Sequence, residues 1–101
     1  MRITTTLVLL ALSAVTCRVW AKDVPYVPTS ETVVAKMLEM ADVNESDLLY
    51  DLGCGDGRIV IAAARDCGAK GVGIDIDPAR IKECSQNARS ARVTEKVSFC
   101  Q

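Results

Sequence analysis

Asp51, Gly53, Gly55 and Gly57 stand at alternate positions in the run Tyr50-Asp51-Leu52-Gly53-Cys54-Gly55-Asp56-Gly57. An acid followed by glycines at this spacing can hold a small ligand against bare backbone, because glycine admits positive φ and carries no side chain to keep a ligand away. A helix that starts directly after the turn presents its first N–H groups to an anion. A carboxylate beside the same turn repels a pyrophosphate and attracts a cation. The residues therefore suit a ligand with a cationic centre for Asp51 and a carboxylate for the helix N-terminus.

The spacing separates two nucleotide ligands. A dinucleotide fingerprint, G-x-G-x-x-G, needs its third glycine at position 58. That position is Arg58, and the third glycine comes one residue earlier, so the motif is D-x-G-x-G-x-G. S-adenosylmethionine fits this pattern: it carries an ammonium, a sulfonium and one carboxylate. The plain alternative is a glycine turn that only reverses the chain. Against it stands a second acid, Asp75, at the end of the apolar run Gly71-Val72-Gly73-Ile74. It falls near the ~20-residue offset at which an acid meets ribose hydroxyls. One carboxylate can accept both hydrogen bonds of a vicinal diol. Ile76 is placed to cover an adenine face. Asp77, ahead of Pro78, reads first as a helix cap and second as a ligand contact.

These residues need strands to carry them and helices to brace them. Leu48–Leu52 reads as strand one, 57–67 as a helix stopped by Gly68, and 71–76 as strand two. A third helix runs from Pro78 to about Arg89, with Ile81, Cys84, Ser85 and Ala88 inward, and strand three covers Val97–Gln101. Ahead of them, Ser30 or Thr29 caps a helix over Glu31–Ala41 with Val33, Val34, Met37, Leu38 and Ala41 on one face. Strands alternating with helices predict an α/β fold, a Rossmann-like parallel sheet with flanking helices. The proline-stiffened segment Pro25-Tyr26-Val27-Pro28 precedes the first helix. There it can cross the carboxyl edge of the sheet and lay Tyr26 over the methyl end of the cofactor, where an aromatic face attracts a sulfonium. The alternative is that Tyr26 packs on the sheet edge beside a proline turn.

Residues 48–101 resemble the N-terminal half of a class I S-adenosylmethionine-dependent methyltransferase, on the glycine loop DLGCGDG and the strand-end acid of GVGIDIDP. Pro25-Tyr26-Val27-Pro28-Thr29 and Gly55-Asp56-Gly57-Arg58-Ile59-Val60 further resemble small prokaryotic relatives of the mitochondrial protein-lysine methyltransferases acting on ATP synthase. The resemblance implies S-adenosylmethionine as cofactor and a methyl-acceptor substrate, with a protein lysine among the acceptors it suggests. The candidate cofactor contacts are Tyr26, Asp51, Gly53, Cys54, Gly55, Gly57, Asp75, Ile76 and Asp77. No catalytic base is visible, and methyl transfer to an amine depends chiefly on positioning. In the family, strand four and its loop line the transfer site. The sequence through Gln101 reads as only the first half of that fold, with strand one left open.

The first 21 residues read as a signal peptide. Arg2 supplies a charge, Leu7–Val15 is apolar, and Val19 and Ala21 suit a peptidase that cuts after Ala21. The apolar stretch is short for a bilayer span. An uncleaved interfacial anchor or an intracellular amphipathic leader is the alternative, and Ala14-Val15-Thr16 is a poor triplet for a lipid on Cys17. A secreted or periplasmic chain beginning at Lys22 is the expectation, and N-terminal sequencing tests it. Residues 22–47 then form an entry segment and helix, and residues 48–101 a truncated S-adenosylmethionine-binding domain.

Composition removes several classes of function. The 101 residues contain no histidine, which excludes a Ser-His-Asp triad and any histidine-bound zinc. Cys54, Cys67, Cys84 and Cys100 are scattered without a C-x-x-C pair, so buried free thiols are expected ahead of disulfides. Cys54 is a small residue that the loop tolerates. A formal net charge of −1 and the absence of a basic run give no indication of nucleic acid. The other function to weigh is a non-catalytic nucleotide- or partner-binding module on the same half fold. An NAD-dependent oxidoreductase fragment is disfavoured by Asp51 and Arg58.

Overall fold

Leu48–Leu52, Lys70–Ile74 and Val97–Cys100 form strands β1, β2 and β3 of one parallel sheet, in the order β1-β2-β3. The computed structural model describes residues 25–101, so the expected leader, its cleavage site and Cys17 lie outside the described residues. Register pairs Asp51 with Gly73 and Gly73 with Phe99, which aligns the carboxyl ends of all three strands. Helices α1 (Glu31–Met40), α2 (Arg58–Cys67) and α3 (Pro78–Ser90) complete the described fold.

Each helix begins and ends for a local reason. The Ser30 hydroxyl accepts from Val33 N at 3.3 Å and starts α1. Ala41 lies in its cap rather than in the helix. Gly57 and Gly68, both left-handed, bracket α2. Pro78 occupies the first turn of α3, where its missing N–H costs nothing.

The core lies between the helices and one face of the sheet. Val34 and Leu38 of α1 pack on Ala62 and Ala63 of α2 and on Ala69. On the other flank of α2, Ile61 and Ala64 meet Ala88 of α3 and Val93, with Phe99 and Val97 of β3 against them. The five-residue apolar stripe expected on α1 is narrower in the structure. Val33 and Met37 are about half exposed, at 49 % and 45 %, because α1 packs chiefly on α2 and buries a single row, Val34 and Leu38. On β1, Leu48, Tyr50 and Leu52 are exposed. Among the described residues no helix is long and apolar enough to cross a membrane.

Three strand boundaries differ from expectation, the first being the start of β2 at Lys70, one residue before Gly71. β2 ends at Ile74, two residues early, because Asp75 turns its carboxylate back to backbone N–H groups and Ile76 points away, 91 % exposed. β3 ends at Cys100, whose carbonyl accepts from Asp75 N at 3.1 Å.

Candidate functional site

The turn after β1 is built by three left-handed glycines, Gly53, Gly55 and Gly57, at φ 79°, 57° and 83°. The N–H groups of Gly53 and Cys54 both donate to Ile74 O, at 2.7 and 2.9 Å, and hook the turn onto the end of β2. Asp75 adds a second tie. Its Oδ2 accepts from Gly55 N and its Oδ1 from Asp77 N, each at 2.9 Å. Two N–H bonds leave each oxygen a further lone pair, which is what a ribose diol requires. Asp75 thus positions the glycine turn and keeps capacity for a ligand.

Asp51 sits at the carboxyl end of β1, half-buried. Burial first, and then the neighbouring Asp75 carboxylate, push its pKa up from the ordinary 3.8. Among the described residues no hydrogen bond offsets that cost. Two carboxylates in one mouth suit a cation that interacts with both. Asp77 behaves as a cap: its Oδ1 accepts from Ala79 N at 2.9 Å at the start of α3.

The anion site expected at the N-terminus of α2 is not open in this form. Every amide from Gly53 to Arg58 already has a protein acceptor. Beyond the three ties above, Asp56 N donates to the Tyr26 hydroxyl at 3.2 Å, Gly57 N to Cys54 O at 2.9 Å, and Arg58 N to Asp56 Oδ1 at 3.2 Å. Buried or crowded backbone donors are rarely left unpaired, and here the turn satisfies its own. A ligand carboxylate must therefore take over a donor that a side chain now holds.

The Tyr26 ring rests on the turn. A methyl group added at Gly55 would approach Tyr26 Cε2 within 2.6 Å. The Arg80 guanidinium stacks on the same ring, 4.0 Å from its centroid. One aromatic face is thus already given to a protein cation.

Sequence reasoning missed three residues that brace the turn. The Cys84 thiol donates to Gly55 O at 3.0 Å, and burial pushes its pKa up to about 12, so it stays a protonated donor. Its sulfur lies 3.7 Å from that of Cys54, and all four described cysteines are free. Asn87 Nδ2 donates to Asp56 O at 3.0 Å. Arg58 grips the Asp56 carboxylate through Nε and Nη2, at 3.0 and 2.7 Å, and holds that acid below its ordinary pKa. The spacing of Asp56 and Arg58 carried a signal for the last contact. Nothing local in sequence announces the other two. A groove of about 730 Å³ shares Asp56 and Arg58 with this site but reaches none of Asp51, Gly53, Gly55 or Asp75. The paired acids Asp51 and Asp75 lie at the glycine turn instead.

A family model described as a methyltransferase domain matches residues 44–101. A protein-lysine N-methyltransferase of Saccharolobus islandicus is 53% identical over 81 residues, covering 79% of this chain and 50% of the relative. A lysine N-methyltransferase of Xenopus laevis named for its action on ATP synthase is 44% identical over 54 residues, 54% of this chain and 23% of the relative. Among solved structures, an RNA methyltransferase from Salinibacter ruber in complex with S-adenosyl-L-homocysteine superposes with a TM-score of 0.73 at 60% identity, over 74% of this chain and 49% of that one. The chain spans about half the length, or less, of these proteins.

Proposed function

This chain belongs to the methyltransferase-domain family, and from that premise we propose that it binds S-adenosylmethionine at the Gly53–Gly57 turn as the cofactor-binding half of a protein-lysine methyltransferase. The observation that carries the proposal is the pair of acids, Asp51 and Asp75, at adjacent strand ends flanking a left-handed glycine turn. Asp75 accepts the ribose hydroxyls while it holds Gly55. Asp51 faces the ammonium. Ile76, open to solvent, lies against the adenine, and Asp77 keeps the start of α3 in place beneath it. The cofactor, when bound, supplies a sulfonium methyl group electrophilic enough for an amine to attack directly, so the protein's task is alignment.

The acceptor is the finer part of the proposal. Two relatives are named as lysine methyltransferases, and the Salinibacter ruber structure as an RNA methyltransferase. Charge favours protein here. The chain carries a formal net charge of −1, and Arg58, Arg65 and Arg80 are each paired with an acid rather than free for phosphates.

Calorimetry with S-adenosylhomocysteine tests the site. Asp75→Ala removes charge-assisted hydrogen bonds worth about 1.5–3 kcal/mol and weakens binding roughly ten- to a hundredfold. Unchanged affinity would refute the assignment. Labelled methyl groups recovered in protease-sensitive rather than ribonuclease-sensitive material identify the acceptor as protein.

A further inference from the structure

We infer that Arg58 is a positioning residue that fixes Tyr26 over the cofactor mouth by tying the segment 25–30 to the glycine turn. The inference rests on the cofactor reading above and concerns a residue which that reading leaves without a role. A guanidinium placed only to close the first turn of α2 needs no more than its fork on Asp56. Arg58 makes a third bond: Nη1 donates to Thr29 O at 2.8 Å, across 29 residues of sequence. Thr29 precedes the cap of α1, so this bond fixes the strand-like entry at its downstream end. At its upstream end the Tyr26 hydroxyl accepts from Asp56 N, the residue whose side chain Arg58 holds. Asp56 is thus gripped by its carboxylate from Arg58, by its amide from Tyr26 and by its carbonyl from Asn87.

The geometry makes the tether specific to arginine. A planar fork holds one carboxylate through two nitrogens and offers a third N–H to a carbonyl, whereas an ammonium makes all its bonds from one nitrogen and cannot reproduce that spread. The Arg58 side chain is 30% exposed and that of Asp56 20%, so the pair is shielded enough to hold a geometry that solvent would loosen. Arg80, stacked on the Tyr26 ring, limits ring tilt from the other side.

The test uses the full chain with Arg58→Lys, Tyr26→Ala, Tyr26→Phe and the Arg58→Lys/Tyr26→Ala double variant. Amide hydrogen exchange at Asp56, read by NMR, reports the tether without any ligand. Calorimetry with S-adenosylhomocysteine reports its consequence. Arg58→Lys should speed Asp56 exchange about tenfold while β2 amides stay protected. Its affinity should fall roughly three- to tenfold, the span of one net hydrogen bond. The double variant should bind no more weakly than Tyr26→Ala alone, because a positioning residue has nothing further to lose once its target is gone. A merely structural arginine predicts the opposite, with losses that multiply. Multiplied losses, or Asp56 exchange unaffected by Arg58→Lys, overturn the inference. Should Arg58→Lys fail to fold, Tyr26→Phe still decides. It deletes the Asp56 N–H acceptor without touching Arg58, and unaltered exchange there overturns the inference equally. A wild-type chain that binds no S-adenosylhomocysteine overturns the cofactor reading and this inference with it. That failure is distinguishable because the wild type itself is then silent.

Discussion

The two faces of the sheet are built on opposite terms. Toward the helices β2 carries glycines and close approaches. A methyl group at Gly71 would meet Val60 Cγ1 at 2.5 Å, and one at Gly73 would meet Phe99 Cδ1 at 2.7 Å and Cys54 Sγ at 2.9 Å. On the other face β1 shows large side chains with little against them, Leu48 at 54%, Tyr50 at 62% and Leu52 at 77% exposure. The same five-residue strand alternates between the two. The comparison teaches where the precision of the site comes from. Beside its ties to Ile74, Asp75 and Tyr26, the glycine turn is braced from the helices, by Cys84 and Asn87 on α3 and by Arg58 on α2.

The largest effect should therefore come from crowding the helix face. Gly71→Ala puts a methyl group into the fully buried Val60 and costs about 1–3 kcal/mol of stability. Chemical denaturation measures it. A loss below about 0.5 kcal/mol would mean that α2 can retreat from the sheet, and the contrast between the faces would then collapse.

Much of this was legible in sequence because it is local. The alternation of apolar runs with glycine turns gave the parallel α/β order. Ser30, Asp77, Pro78 and Gly68 marked helix ends through hydrogen bonds or φ values that depend on only a few neighbours. Asp51 and Asp75 are legible from their spacing to the glycines, and the parallel sheet aligns the strand ends that carry them. What stayed hidden is contact across the chain. A stripe on α1 cannot state how wide its partner is, so Val33 and Met37 share the apolar face but are half exposed. Glycine motifs suggest free N–H groups, but whether they are free depends on Tyr26 and Asp75, 20 to 30 residues away. Cys84 looked like filler on an apolar face. Its thiol serves the loop because the helix packs directly beneath Gly55.

An intermediate effect should appear at Asp51, where the two faces meet at the mouth of the site. Burial and the Asp75 carboxylate raise its pKa in the folded state. The folded chain thus holds a proton that the unfolded chain has released. This contribution is fully present below the unfolded value of 3.8 and is lost as pH rises through the raised value. Asp56 and Asp66, held low by Arg58 and Arg65, act in the opposite sense. The difference between wild type and Asp51→Asn isolates the term. Asp51→Asn should be the more stable protein above the raised pKa, with the gap closing on acidification. Cofactor affinity has the reverse dependence, since a cationic ligand needs the ionised acid. Binding by wild type should weaken as pH falls through that value, and binding by Asp51→Asn should be weaker throughout and flat. Denaturation midpoints and calorimetry across the acid range check both, and a sloping affinity in Asp51→Asn would assign the titration to another group.

The smallest effect belongs to the open face. Leu52 is 77% exposed on the edge strand of the described sheet. An exposed apolar edge of a parallel sheet is a template for association, and lysine on such an edge is a common protection against it. Leu52→Lys removes little packing, so the stability of the chain should change by no more than about 0.5 kcal/mol. Light scattering should meanwhile show less self-association at a given concentration. The contrast with Gly71→Ala is then complete, since one methyl group on the helix face outweighs the exchange of a whole apolar side chain on the other. A loss of about 2 kcal/mol or more in Leu52→Lys, the cost of uncovering a buried leucine, would break the comparison. It would mean that this face is packed in solution, and a concentration-dependent melting temperature would identify a second copy of the chain as the cover.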